Sequence, residues 1–103
     1  MSDIPTGLPA SVKSLARELR DALKRYKGWS MHHPKEWNGQ YGRDSELVVY
    51  YEGSDAAQYF SMDFCYDHKI EQYKPYEQMI EWLNDRGYYF EECTRQYCAI
   101  YEQ

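Results

Sequence analysis

Four side chains suited to a zinc site stand in two pairs, Cys65-x-x-His68 and Cys93-x-x-x-x-Cys98. A structural zinc needs four such ligands on one tetrahedron, and its cysteines usually come in tighter pairs than these. Cys65, Cys93 and Cys98 are also the only cysteines, and an odd number does not describe a disulfide scaffold. Free thiols and no bound metal are therefore expected. A cysteine nucleophile would need an imidazolium or a helix N-terminus to lower its pKa. His32, His33 and His68 are available, but none stands in a nucleophile-elbow or oxyanion-hole pattern, and His32-His33-Pro34 reads as a polar loop. Glu91 and Glu92 are adjacent, so in a strand they would face opposite ways and not act as an acid–base pair. Gly39-Gln40-Tyr41-Gly42 lacks the spacing of a phosphate-cradling loop. No residue set carries catalysis, and the chain is read as non-enzymatic and without a cofactor.

What remains is binding chemistry. Glu77, Glu81 and Asp85 follow one another at i, i+4 and i+8. On a helix they would step along one side by about 6 Å each. Carboxylates at that spacing can occupy a basic groove that otherwise holds nucleic-acid phosphates. Asp63, Asp67 and Glu71 could extend the patch. A second row has the opposite sign. Lys13, Arg17, Arg20, Lys24 and Lys27 fall within about 80° of one another at helical spacing. Such a row is most simply a solvated face, but it also fits a phosphate backbone, with Trp37 and Tyr41 stacking on bases.

These rows need elements to present them. Pro75 suits the first turn of a helix and Gly87 its left-handed stop, so the sequence predicts a helix over 75–86. Tyr76, Met79, Ile80 and Leu83 would form its apolar face, with Trp82 at the edge. An earlier stripe, Val12, Leu15, Ala16, Leu19, Ala22, Leu23 and Tyr26, predicts a helix over 10–27 that ends at Gly28. Asp21 and Arg25 would pair beside it at i, i+4. Strands are predicted over 46–52, 58–66, 88–93 and 97–101 from β-branched and aromatic runs. In the second, Phe60, Met62, Phe64 and Tyr66 alternate with Tyr59, Ser61, Asp63 and Cys65, and would form its buried face. The last two make one long strand or a hairpin turning at Thr94–Gln96, the reading preferred here. Residues 28–45 have no period; Trp29–His32 could be a short strand, with Trp29 plugging the core and Trp37 and Tyr41 turned outward for recognition.

The fold class is thus α+β, a single small domain over 1–103 in α-β-β-α-β-β order, an antiparallel sheet with two helices packed on one face. Residues 1–8 are read as a loose leader. With 103 residues the chain is long enough for one modest core. Its 12 tyrosines exceed what such a core needs, so several are expected at the surface. The net charge is −5 and unevenly spread. Residues 1–44 hold 8 Lys/Arg against 5 Asp/Glu, whereas residues 45–103 hold 4 against 12. The acidic half outweighs the basic one and would repel phosphates more than attract them. The first reading is therefore an acidic protein-interaction module whose partner is another protein with a basic surface, an inhibitor of a nucleic-acid-binding groove being one form of it. Direct nucleic-acid binding through the basic row is the alternative. Self-association as a homodimer, basic row on acidic row, is the third. No signal peptide or membrane-length apolar run is visible, and a reduced, cytoplasmic protein is expected.

Overall fold

The computed structural model describes residues 3–103. Among these residues, three α-helices lie against one four-stranded antiparallel sheet of order β1-β2-β4-β3. The strands are β1 (Ser30–His32), β2 (Leu47–Tyr50), β3 (Tyr88–Glu92) and β4 (Tyr97–Glu102). This is the small α+β domain expected, with β1 supplied by the aperiodic 28–45 stretch.

Register decides which side chains meet. Met31 lies beside Val49, Val49 beside Cys98, and Leu47 beside Ile100. Side chains alternate, so these residues share one face. That inner face carries the core. Helix α1 (Ala10–Ala22) contributes Val12, Leu15, Ala16 and Leu19, and helix α3 (Lys74–Asn84) contributes Met79 and Leu83, to the same buried cluster as Leu47, Val49 and Ile100. Each of the Val, Leu, Ile and Met side chains contributes about 1.5–3 kcal/mol when fully buried, and Ala16 less.

Helix α1 stops at Ala22, short of the expected 27. The indole Nε1 of Trp29 donates to the Leu23 carbonyl at 3.2 Å. That bond uses a carbonyl of the last turn, and the chain leaves the axis to bury Leu23 and Trp29 together. Lys24 and Lys27 therefore lie beyond the helix. Arg25 donates to the Tyr26 hydroxyl at 2.7 Å rather than pairing with Asp21.

The largest correction concerns 58–66. It is no strand. Residues Asp55–Tyr59 form a 3-10 turn, and helix α2 occupies Met62–Asp67. Ser54 and Ser61 cap them, each hydroxyl accepting from a main-chain N–H, that of Ala56 at 3.1 Å and that of Phe64 at 3.2 Å. Phe60 is fully buried, stacked on Tyr51 with centroids 5.6 Å apart. Met62 and Tyr66, expected on the buried side, are 47% and 75% exposed.

Helix α3 starts from Tyr73 in the left-handed region (φ 53), has Pro75 in its first turn, and is followed by Gly87 at φ 85. Ile80, expected on its buried face, is 39% exposed. Arg86 lies 3.8 Å over the Trp82 ring and pairs with Glu18 at 3.1 Å, which ties the end of α3 to α1. Residues 88–102 are a hairpin. Its turn needs no glycine because the Thr94 hydroxyl accepts from the N–H groups of Gln96 and Tyr97 at 3.0 and 3.3 Å.

The outer face of the sheet is covered by a loop. Trp37 packs on His32, Tyr50 and Tyr97, with ring centroids 4.7, 5.8 and 4.9 Å away. Gly42 has φ 89, and a Cβ there would stand 3.1 Å from that of Ala99. Arg43 straps the loop by donating to the carbonyls of Trp37 and Lys35 at 3.0 and 3.1 Å. Within the expected leader Leu8 is buried and Ile4 lies against the core, whereas Thr6 and Gly7 are exposed. The first two residues of that leader lie outside the described residues.

Candidate functional site

Glu77, Glu81 and Asp85 are all exposed. Helical spacing sets them along one side of α3, away from buried Met79 and Leu83. Among the described residues, none of the three carboxylates has a hydrogen-bond or ion-pair partner. Glu77, in the first turn, suits the helix dipole, whereas Asp85 stands at the C-cap, where the dipole opposes it. The other predicted acids differ. Asp63 and Asp67 stand one turn apart on α2 and share Arg95, at 3.7 and 2.5 Å. A single guanidinium serves both carboxylates and offsets one of the two charges, so they extend the acidic patch less than expected. Glu71 is exposed, in the turn before α3.

The basic row is shorter than its spacing implied. Lys13, Arg17 and Arg20 remain on α1, with Lys13 and Arg20 half-buried, while Lys24 and Lys27 follow the helix as exposed residues of the connection. The aromatic pair separates as well. Tyr41 is 51% exposed, but Trp37 is half-buried as part of the layer over the sheet. A ring wedged among His32, Tyr50 and Tyr97 has less face to offer a base.

The thiols do not converge. Cys65 and Cys98 are buried, and Cys93 is half-buried. The Cys65 thiol donates to the Gln58 carbonyl at 3.2 Å, and the His68 ring bonds the Phe64 carbonyl at 3.0 Å. Among the described residues no group of three or more His, Cys, Asp or Glu could hold a metal ion. Burial raises the pKa of all three thiols, with Glu91 and Asp44 adding to the effect at Cys93. These are protonated, poorly nucleophilic groups. Burial lowers the pKa of His32, whose Nε2 shares a hydrogen bond with the Ser30 hydroxyl at 2.7 Å.

A cleft that the sequence did not reveal opens on the outer face. It is an open depression of about 600 Å³ between the loop over Gln40–Asp44 and the β3–β4 hairpin. Asp44, Glu91, Cys93, Tyr41 and Tyr101 line it, and the outward side of β3 forms its rim. The Arg43 guanidinium is spent on two carbonyls, so carboxylates set the charge of the cleft. Alternation of Tyr89, Glu91 and Cys93 along one face was readable; the loop that closes the other wall was not.

Among the described residues no helix is long and apolar enough to cross a membrane. No family model matches the chain, and no curated protein or solved structure matches it either.

Proposed function

We propose that the chain is a non-enzymatic acidic interaction module whose partner is a protein with a basic surface. One observation carries this reading: Glu77, Glu81 and Asp85 project from a well-anchored helix with no partner among the described residues. Arg86, the nearest cation in sequence, is engaged by Glu18 and the Trp82 ring instead. Unpaired carboxylates about 6 Å apart on a rigid helix form a preorganised row, so a basic partner would order few side chains to meet it. The two acids with a partner, Asp63 and Asp67, stand outside this row. Occupation of a nucleic-acid-binding groove is the form of inhibition this charge pattern suits.

The nucleic-acid alternative loses two of its supports, the length of the basic row and the free face of Trp37. The test is capture of partners on immobilised protein from a lysate of the source cells, treated with nuclease. Glu77→Lys with Glu81→Lys should abolish capture and salt should weaken it, because like charges across an interface cost several kcal/mol. Lys13→Glu with Arg17→Glu should leave it intact. Capture that survives the first pair and fails with the second, or needs nucleic acid, would overturn the reading.

A further inference from the structure

The sheet ends at β3, which is five residues long and pairs on one side only. Its hydrogen-bonding parity is set at both ends. The Cys93 N–H donates to the Tyr97 carbonyl at 3.2 Å, and the Gln103 N–H donates to the Gly87 carbonyl at 2.9 Å. Antiparallel pairs alternate, so Tyr89 and Glu91 turn their main-chain groups toward β4. Phe90 and Glu92 turn theirs outward, where among the described residues no strand follows. The Tyr88 carbonyl, also outward, is taken by the Gln103 side chain at 3.1 Å. An edge of this kind is a template for another strand.

The surroundings of that edge are those of an interface. Met62, whose N–H is bonded to the Glu92 carboxylate at 2.9 Å, is 47% exposed on the helix side. Tyr89, 40% exposed, and Tyr41 flank the other side. Methionine and tyrosine are enriched where proteins meet. The charge there is negative, from Glu91 beside Asp44 in the cleft. A second copy would bring the same carboxylates to the seam and is disfavoured.

We propose that the β3 edge takes an extended basic segment of a partner protein as a fifth strand, its main chain pairing with Phe90 and Glu92 and a Lys or Arg entering the Glu91–Asp44 cleft. The inference rests on the acidic-module reading and assigns it a second contact surface and a partner shape. Main-chain bonds would supply sequence-independent affinity, and the cleft would select the basic side chain and fix the register.

The test uses a fluorescent ten-residue peptide of alternating Lys and Thr, with a variant in which prolines replace the central threonines as control. The full chain should bind the first at least roughly tenfold tighter than the second, since proline cannot complete the ladder. Amide exchange at Phe90 and Glu92 should slow on binding, while Tyr89 and Glu91, already paired with β4, should not change. Glu91→Lys should weaken binding about tenfold or more. Equal binding of the two peptides, or binding without protection at Phe90 and Glu92, overturns the proposal. So does protection of those amides that rises with protein concentration in the absence of peptide, which would mark a second copy. Loss of binding in Glu77→Lys with Glu81→Lys, and not in Glu91→Lys, would sink the edge site and leave the α3 row standing. The opposite pattern would keep the edge and remove α3 as the contact.

Discussion

The Tyr101 hydroxyl donates to the Asp44 carboxylate at 3.2 Å, joining the central part of the sheet to the loop that covers its outer face. The pKa of Tyr101 is pushed up to about 12, by loss of solvent first and by Asp44 second. An unfolded tyrosine ionises near 10, so the folded state holds this proton more tightly. The linked stability is fully present below about pH 10 and is lost as pH rises toward about 12. Absorbance titration at the tyrosinate band should show the Tyr101 step above the ordinary tyrosine range. Asp44→Asn should bring the Tyr101 step back toward the ordinary range. An unchanged step in Asp44→Asn would refute the coupling.

Gly42 bears on the same loop. With φ 89 and a virtual Cβ 3.1 Å from Ala99, it lets the loop touch the sheet. Gly42→Ala should destabilise the chain by about 1–2 kcal/mol for the left-handed backbone alone, with more from the Ala99 contact. Gly53→Ala, at φ 78 but with open space around it, should show the backbone cost without the rest. Equal denaturant midpoints for the two variants would mean the loop does not press on Ala99.

The segment around Phe60 separates the two readings of its sequence. Phe60→Ala should cost about 3–5 kcal/mol, as for a fully buried aromatic, because Phe60 is enclosed by Tyr51 and Phe90. Met62→Ala should change stability by less than about 0.5 kcal/mol, as at an exposed site. A strand with Phe60 and Met62 on one face would make both costly. Chemical denaturation of the two variants decides it.

Two features of that segment were present in the sequence and outweighed there by a period of two. Ser61 followed by Asp63 is an N-cap with an acid in the first turn. Ala57, Phe60 and Phe64 recur at three to four residues, and the fold buries the first two and half-buries the third. Alternating aromatics fit a strand pattern equally well, and six residues of helix are too few for periodicity to arbitrate. The longer helices were legible because the Val12–Leu19 stripe repeats over about two turns and because Pro75 and Gly87 mark the ends of the helix that carries Met79 and Leu83. The layer of Trp37, Gly42 and Arg43 was not, because its order comes from contacts with β2 and β4 and not from any local period. The same holds for the cleft, whose two walls are some fifty residues apart in sequence.

Asp85 gives the sharpest test of whether the α3 row is there for binding. It stands at the C-cap, with no basic residue in the last helical turn. The carbonyl end of a helix disfavours a negative charge by about 0.3–1 kcal/mol at an exposed site. Arg86 offsets part of this, since its guanidinium donates to the Trp82 carbonyl at 3.0 Å. Asp85→Asn should therefore raise stability by a few tenths of a kcal/mol, up to about 1 kcal/mol. Glu77→Gln, in the favourable first turn, should lower it by a similar amount. Both substitutions remove one carboxylate from the proposed contact, so both should weaken capture of a basic partner. A purely structural role would make capture follow stability, up in one variant and down in the other. A binding role makes capture fall in both while stability moves in opposite directions. Thermal denaturation and capture measured side by side distinguish the two, and capture that rises in Asp85→Asn would remove this residue from the site.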